Sequence, residues 1–210
     1  MTNDALRLRR RIESKLRRHV SDNGVLDGDG RLLLAVSGGS DSTALLLLLL
    51  ELTKRRPGRI AVAHFDHALR GAAASKRDAA FVRELAQSCG VPFYSRRGDV
   101  RARAKTDRIS IEEAARRERY EFLARAAREA GCDAVATGHT ASDQAETVLL
   151  HILRGAGLEG LAAMSPRAAW PFAGQEGLSL LRPLLWLTGA ETRAYCGAAG
   201  VTPIEDESNV

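Results

Sequence analysis

The chain has 210 residues, which suits one compact domain or a domain with a small appendage. It carries 31 Lys+Arg against 26 Asp+Glu, a net +5. Residues 1–20 alone hold seven basic and two acidic residues, so residues 21–210 are formally neutral, which excludes a uniformly basic nucleic-acid coat but not a local basic stripe.

Apolar content of 45% excludes a disordered chain, and the longest apolar run, Ala44–Leu50, is too short to cross a membrane. No apolar stretch follows the Arg-rich start as a secretory signal requires. Cys89, Cys132 and Cys196 form neither a zinc spacing nor an even disulfide set, so a reduced, cytoplasmic protein without membrane contact is expected.

Residues 5–20 are expected to form a basic helix with the narrow apolar stripe Leu8, Ile12, Leu16 and Val20. Glycines in 22–30 break it, and residues 1–24 are taken as an N-terminal helix ahead of a domain over 25–210. Arg31–Val36 reads as a buried strand, Ser37–Ser40 as a turn, and Asp41–Lys54 as a Leu-rich helix stopped before Pro57. Ile60–Phe65 is strand-like, Ser75–Ser88 helical, and Pro92–Ser95 a short strand. A helix opens at Ser110 with the capping pattern S-x-x-E and runs to about residue 131. Ala134–Thr137 is a fourth strand. Ala141–Leu153 is a helix whose stripe Ala145, Val148, Leu149 and Ile152 is expected in the core, closed by Gly155 and Gly157. Pro166–Gly177 reads as a loop, Leu178–Leu181 as a fifth strand and Ala190–Ala199 as a last helix.

Strands alternating with helices predict an α/β fold: a doubly wound, mostly parallel sheet with helices on both faces. Ligands in such sheets sit at the carboxyl ends of strands, here after Val36, Phe65, Tyr94 and Thr137.

Ser37-Gly38-Gly39-Ser40-Asp41-Ser42 occupies the first of these places. Its glycines permit a tight turn, its hydroxyls can donate, and the next helix presents free N–H groups, which together suit a phosphate. A plain Gly-rich turn with Ser40 or Asp41 as helix cap explains the same residues equally well. No G-x-x-x-x-G-K-[ST] or G-x-G-x-x-G is present. A carboxylate at an anion site makes sense where Mg²⁺ bridges it to phosphate.

A second group, Gly138-His139-x-x-x-Asp143-x-x-Glu146, opens the helix after the fourth strand. Asp143 and Glu146 share a helical face, where the helix dipole favours acids and where they would also suit Mg²⁺ or an ammonium group. His139 alone reads as structural. In the helix from Ser110, Arg119 falls on the stripe of Ala115, Phe122 and Ala126 and needs an anionic partner there, with Arg116 on its flank. Arg117 reads as part of an intrahelical network with the neighbouring glutamates. For Arg116 and Arg119 that reading and an anion-binding one stand level.

Ser37–Ser42 with Leu45 is similar to the SGGxDSxxL signature of the PP-loop ATP pyrophosphatases, a Rossmann-like class that transfers AMP to a substrate oxygen (adenine nucleotide alpha hydrolase-like). Further blocks follow in order: Asp66-His67-x-Leu69-Arg70, Glu113-Ala114-Ala115-Arg116-x-x-Arg119-Tyr120, Gly138-His139-x-x-x-Asp143-Gln144-x-Glu146-Thr147, Arg154-Gly155-x-Gly157-x-x-Gly160-Leu161, Arg182-Pro183-Leu184-Leu185 and Asp206-x-Ser208-Asn209. With the loop, these resemble the N-terminal catalytic domain of the tRNA(Ile)-lysidine synthases.

The resemblance implies a ligase that uses ATP to adenylylate the 2-carbonyl oxygen of the wobble cytidine in an isoleucine tRNA with a CAU anticodon. The amine of free L-lysine then displaces AMP. It further implies that Ser37, Gly38, Gly39, Ser40, Asp41 and Ser42 bind ATP and that Asp41 and Asp143 meet Mg²⁺. Asp143 and Glu146 would hold lysine or assist the metal, Arg116 or Arg119 would stabilise charge on phosphate or RNA, and His139 joins the catalytic set. Family members are often homodimers.

Two departures are visible. The family often has two adjacent aspartates where this chain has Ser142-Asp143, and its members continue past Asp-x-Ser-Asn into helical and tRNA-gripping domains, so C-terminal tRNA-binding domains are expected to be absent and activity impaired. Alternatives are a PP-loop tRNA thiolase, disfavoured by the lack of paired cysteines, and a truncated, non-catalytic ATP- or RNA-binding module. Residues 96–128 carry a second +5, and the remainder (21–95 and 129–210) is net −5. The charge therefore predicts a split between RNA-facing and catalytic surfaces, with the 1–20 stripe aiding tRNA contact and dispensable for ATP binding.

Overall fold

Apolar residues run almost unbroken along the central strands, and successive ones go to opposite faces of one sheet. The computed structural model describes residues 2–25, 30–54, 58–69, 71–153, 155 and 163–204. In chain order the elements are α1 (Asn3–Asp22), β1 (Leu32–Ala35), α2 (Ser40–Leu52), β2 (Ile60–Asp66), α3 (Ala72–Ser88), β3 (Phe93–Arg97), α4 (Val100–Asp107), α5 (Ile111–Glu129), β4 (Ala134–Ala136), α6 (Ala141–Leu153), β5 (Arg167–Ala169), β6 (Ser179–Leu181) and α7 (Gly189–Ala198). The sheet order is β3-β2-β1-β4-β6-β5, parallel except for β5 against β6. This is the doubly wound, mostly parallel α/β fold expected from the sequence.

Leu32 and Leu34 of β1, Ile60 and Val62 of β2 and Ala134 and Ala136 of β4 face one core together with α1, α2, α3 and α7. Leu33, Ala61, Ala63 and Val135 face the other, beneath α4 and α5. Helix α2 is the most enclosed helix of the first layer: Ser42–Leu46, Leu48 and Leu49 are all buried, so apolar residues occupy most of its circumference. Such a helix needs cover on several sides. The sheet, α7 and α1 supply it. Ile12 and Leu16 of α1 are fully buried against that layer, and Leu8 packs at its margin.

Four readings change. The loop read over 166–177 contains β5, whose three residues run antiparallel along the sheet edge. No apolar periodicity marks so short an edge strand. Helix α4 was not read, because the VRARAKTD segment is charged and buries only Val100 and Ala104. Helix α2 is capped by neither Ser40 nor Asp41; its N-cap is Gly39, which has no side chain to donate or accept. The α6 stripe expected in the core is not there: α6 buries none of its residues, Leu149 and Ile152 are exposed, and Leu153 is 82% exposed. The 3.6-residue pattern is real, but no described element covers that face. Arg70, Arg154, Gly157, Gly160, Leu161, Asp206, Ser208 and Asn209 of the quoted blocks lie outside the described residues.

Burial sets the energetic contrast. Leu45→Ala in α2 is expected to cost about 2–5 kcal/mol, whereas Leu153→Ala changes stability by no more than about 0.5 kcal/mol. Urea denaturation of the two variants checks the difference.

Candidate functional site

The strand order reverses direction between β1 and β4, which pair in parallel with Leu32 opposite Ala134. Chains leaving the two strands diverge there and open a crevice at their carboxyl ends. The loop Ser37–Ser42 and the segment Thr137–Asp143 both emerge into it.

Ser42 organises the loop. Its Oγ accepts the backbone N–H groups of Ser37 (3.1 Å) and Gly38 (3.2 Å), lies 3.0 Å from Ser37 Oγ, and is 3.1 Å from the Gly39 carbonyl. One hydroxyl thus ties the turn to the first turn of α2. Gly38 has φ +105°, a left-handed conformation that favours glycine, and its carbonyl accepts from Thr43 Oγ1 and from Ile204 N–H. A Cβ at Gly38 would also lie 2.5 Å from Ile204 Cδ1. Across the crevice, a Cβ at Gly138 would stand 3.0 Å from Asp41 C and O and from Ser42 N. The two loops touch backbone to backbone, and glycine at 138 lets them do so without crowding.

Asp41 is held from a distant part of the chain. Thr192 Oγ1 in α7 donates to its Oδ1, and Ser40 Oγ lies 3.4 Å from the same oxygen. The sequence contains no local signal for Thr192, which lies far along the chain. Behind the loop, Cys196 Sγ donates to the Ser40 carbonyl at 3.5 Å, and burial pushes its thiol up to about 12.

The second segment is organised by capping. Asp143 Oδ2 accepts from both Thr140 N and Thr140 Oγ1 at 2.7 Å, as a carboxylate in the first turn of a helix does. Ser142 Oγ accepts from Gly189 N–H at 3.5 Å, so the uncharged side chain meets the N-terminus of α7, where an aspartate would also be favoured. Glu146 is exposed on α6. His139 Nδ1 lies 2.8 Å from Thr137 Oγ1, and burial lowers its pKa below 6.5 despite the nearby Asp143.

These loops open onto a cleft of about 850 Å³ that extends over β2 and α5. Ser37, Gly39, Asp41, Ser42, Arg116, Arg119 and His139 line it; Gly38 and Ser40 lie in the same turn, whereas Asp143 and Glu146 stand outside its wall. The arginines of α5 now separate. Arg117 pairs with Glu113 at 2.7 Å, and Arg116 sits 3.8 Å from the same carboxylate. The Arg116 guanidinium also lies over the rings of Tyr120 (5.7 Å) and Phe172 (5.6 Å). Arg119 lies over Tyr120 at 5.4 Å and has no carboxylate partner among the described residues. It is the uncompensated cation of the cleft wall. Phe172 falls in the segment read as a loop, and only the three-dimensional packing brings it to Arg116.

His64 and His67 also line the cleft. His64 is buried at the end of β2, with Nδ1 2.9 Å from the Val36 carbonyl, so that nitrogen carries the proton. Burial and the Arg119 charge hold the His67 pKa down to about 4.

A doubly wound sheet with a glycine–serine loop at its switch point is an architecture for binding a phosphorylated ligand. Residues 8–210 match the PP-loop domain family, and the chain belongs to that family. It is 41% identical over 199 residues to the tRNA(Ile)-lysidine synthase of Dehalococcoides mccartyi, covering 95% of this chain and 42% of that protein. It is 43% identical over 198 residues to that of Geobacter sulfurreducens, covering 94% and 40%. The chain thus spans about two fifths of the length of these curated relatives. In structure it is similar to the U34-tRNA thiolase NcsA from Methanococcus maripaludis, with TM-score 0.69 and 19% identity over 91% of this chain and 65% of that one. At that identity the likeness shows the fold alone.

The lowered histidine pKa values have a pH consequence. His67 and His139 take up protons more readily in the unfolded chain, so acidification below about pH 6.5 favours unfolding, and the His67 share stops growing below its folded value of about 4. His67→Gln should therefore lose less stability between pH 7 and pH 4.5 than the wild type. Urea midpoints at the two pH values measure it, and equal losses would rule out this role.

Proposed function

We propose that this chain is the PP-loop catalytic domain of a tRNA(Ile)-lysidine synthase acting in the cytoplasm. The observation that carries the reading is the convergence of the Ser37–Ser42 loop and the Gly138-His139 segment at the β1/β4 switch point, in a chain 41% identical to a protein of that name.

In this reading ATP lies with its phosphates on Ser37–Ser42 and the N-terminus of α2. The 2-carbonyl oxygen of the wobble cytidine attacks the α-phosphorus and pyrophosphate leaves. The amine of free L-lysine then attacks C2, the bond to the adenylate oxygen breaks, and AMP departs. A carbonyl oxygen is a poor leaving group, and adenylylation makes it a good one. Arg119, with Arg116 beside it, offsets the charge that develops on phosphate. His139, kept neutral by burial, accepts the proton that the lysine ammonium must lose. Asp143 and Glu146, at the start of α6, attract the ammonium groups of lysine.

Asp41 and Asp143 are the residues that would hold Mg²⁺ in this reading. Asp41 Oδ2 and Asp143 Oδ1 take no hydrogen bond from the described residues, while the other oxygen of each is fixed. Among the described residues no three His, Cys, Asp or Glu side chains cluster as a self-sufficient metal site, which suits an ion held largely by substrate phosphates. When bound, the ion would neutralise phosphate charge.

The thiolase alternative has less support. The matching thiolase structure carries a 4Fe-4S cluster, whereas Cys132 and Cys196 here are buried and Cys89 half-buried, each as a free thiol. Incubation with labelled ATP, Mg²⁺, lysine and an isoleucine tRNA transcript tests the proposal. Lysine-dependent AMP release with lysine incorporated into RNA is expected, and Asp41→Asn should slow it at least about 100-fold. ATP binding without turnover would sink the synthase reading and leave a nucleotide- or RNA-binding module.

A further inference from the structure

Helix α1 has two faces of unlike purpose. Its inner face carries Ile12, Leu16 and Val20, together with Arg9, which is spent on structure: it lies 3.5 Å from Glu13, 4.0 Å from Glu51 and over the Tyr195 ring at 5.9 Å. At 100° per residue, Arg7, Arg10, Arg11, Arg17 and Arg18 all fall within about a third of the circumference on the opposite side. All five are exposed. Their Cα atoms run along about 16 Å of helix.

Among the described residues only Arg11 of these five has a carboxylate partner, Glu191 at 3.8 Å. Arg7, Arg10, Arg17 and Arg18 have none. Structural arginines in this protein pair with acids on their own or a neighbouring helix, as Arg9 does with Glu13 and Arg103 with Asp107 and Glu121, and among the described residues these four do not. The exception shows where the stripe lies. Glu191 is in the first turn of α7, one residue before Thr192, which holds Asp41. On that turn the guanidinium of Arg193 also lies close to Gly189, within 3.9 Å of the point a Cβ there would occupy; Asp41 Oδ1 is equally close to that point. The stripe thus runs past the rim of the phosphate-loop side of the site.

We propose that the outward face of α1 is a docking rail for the phosphate backbone of RNA, with Arg7, Arg10, Arg17 and Arg18 as its contacts. The rail deepens the RNA-modifying reading above and depends on it for the identity of the RNA. Guanidinium groups grip phosphate oxygens in pairs, and a row without competing carboxylates neutralises successive phosphates without reading sequence. Deleting residues 1–20 would not isolate this face, because it would uncover α2, which carries the phosphate loop. Substitution on the outer face leaves that packing intact.

The test measures binding of an unmodified isoleucine tRNA transcript to the 210-residue chain as a function of salt. The variant Arg7→Gln/Arg10→Gln/Arg17→Gln/Arg18→Gln should bind at least about tenfold more weakly in 50 mM salt, with the slope of log K against log salt reduced by about 2–3.5. The matching four Arg→Lys changes should restore the slope, since charge is retained. ATP affinity should stay within about twofold of wild type in both, because none of the four touches the loop. The double variants at Arg7/Arg10 and at Arg17/Arg18 should each remove about half of the slope change, which keeps the test decisive if the quadruple variant folds poorly. Unchanged affinity and slope would overturn the rail and assign the stripe to an acidic protein surface. Binding is read without turnover, so loss of the rail effect in a chain that still ligates lysine refutes the rail alone. A salt-dependent rail in a chain that forms no product refutes the synthase reading alone.

Discussion

Everything at the site depends on one close approach: the backbone of Gly138 against the backbone of Asp41 and Ser42. The β1/β4 register sets the spacing of the two strands, and the loops that leave them must meet within it. A methyl group at residue 138 would press on the backbone of Asp41 and Ser42 at 3.0 Å, and the phosphate loop would have to give by a few tenths of an ångström. The fixed geometry then propagates. Ser42 captures the amides of the turn, Thr192 captures Asp41, and Ile204 closes over Gly38. The Gly138 segment, α7 and the stretch after α7, all far along the chain from the loop, thus converge on its six residues.

Electrostatics divide the same region. The loop gathers backbone N–H groups and the positive end of α2, and Arg119 across the cleft has no carboxylate partner among the described residues, so that wall attracts anions. The N-terminal half of α6 carries the carboxylates Asp143 and Glu146. Neutral histidines lie between, because burial costs an imidazolium more than Asp143 or Asp66 returns. The fold separates the two kinds of surface onto different elements, so neither neutralises the other.

Much of this was legible in the sequence. Runs such as LLLA in β1 and IAVAHF in β2 declare buried parallel strands, and the loop glycines and serines declare the turn between β1 and α2. The pairing of Arg117 with Glu113 follows from i, i+4 spacing. What stayed hidden is non-local. No spacing rule brings Thr192 to Asp41 or Phe172 to Arg116, since both contacts are decided by how layers pack. The three-residue β5 is held by ladder hydrogen bonds to β6 rather than by its own apolar pattern. The α6 stripe shows the reverse failure, for periodicity reports a helix with an apolar face and is silent about whether anything covers it.

The enclosure of α2 has a consequence for how this protein can change. Because apolar residues occupy most of its surface, the helix that carries the phosphate loop cannot be solvated on the side where α1 lies, and α1 is fixed in place by an obligation that has nothing to do with RNA. Its outer face is under no such obligation. Mutation can redraw the charge there residue by residue at little cost to folding, while the inner face admits few replacements for Ile12 and Leu16. A charged surface mounted on a structural necessity can be rewritten without the helix that carries it ever being lost.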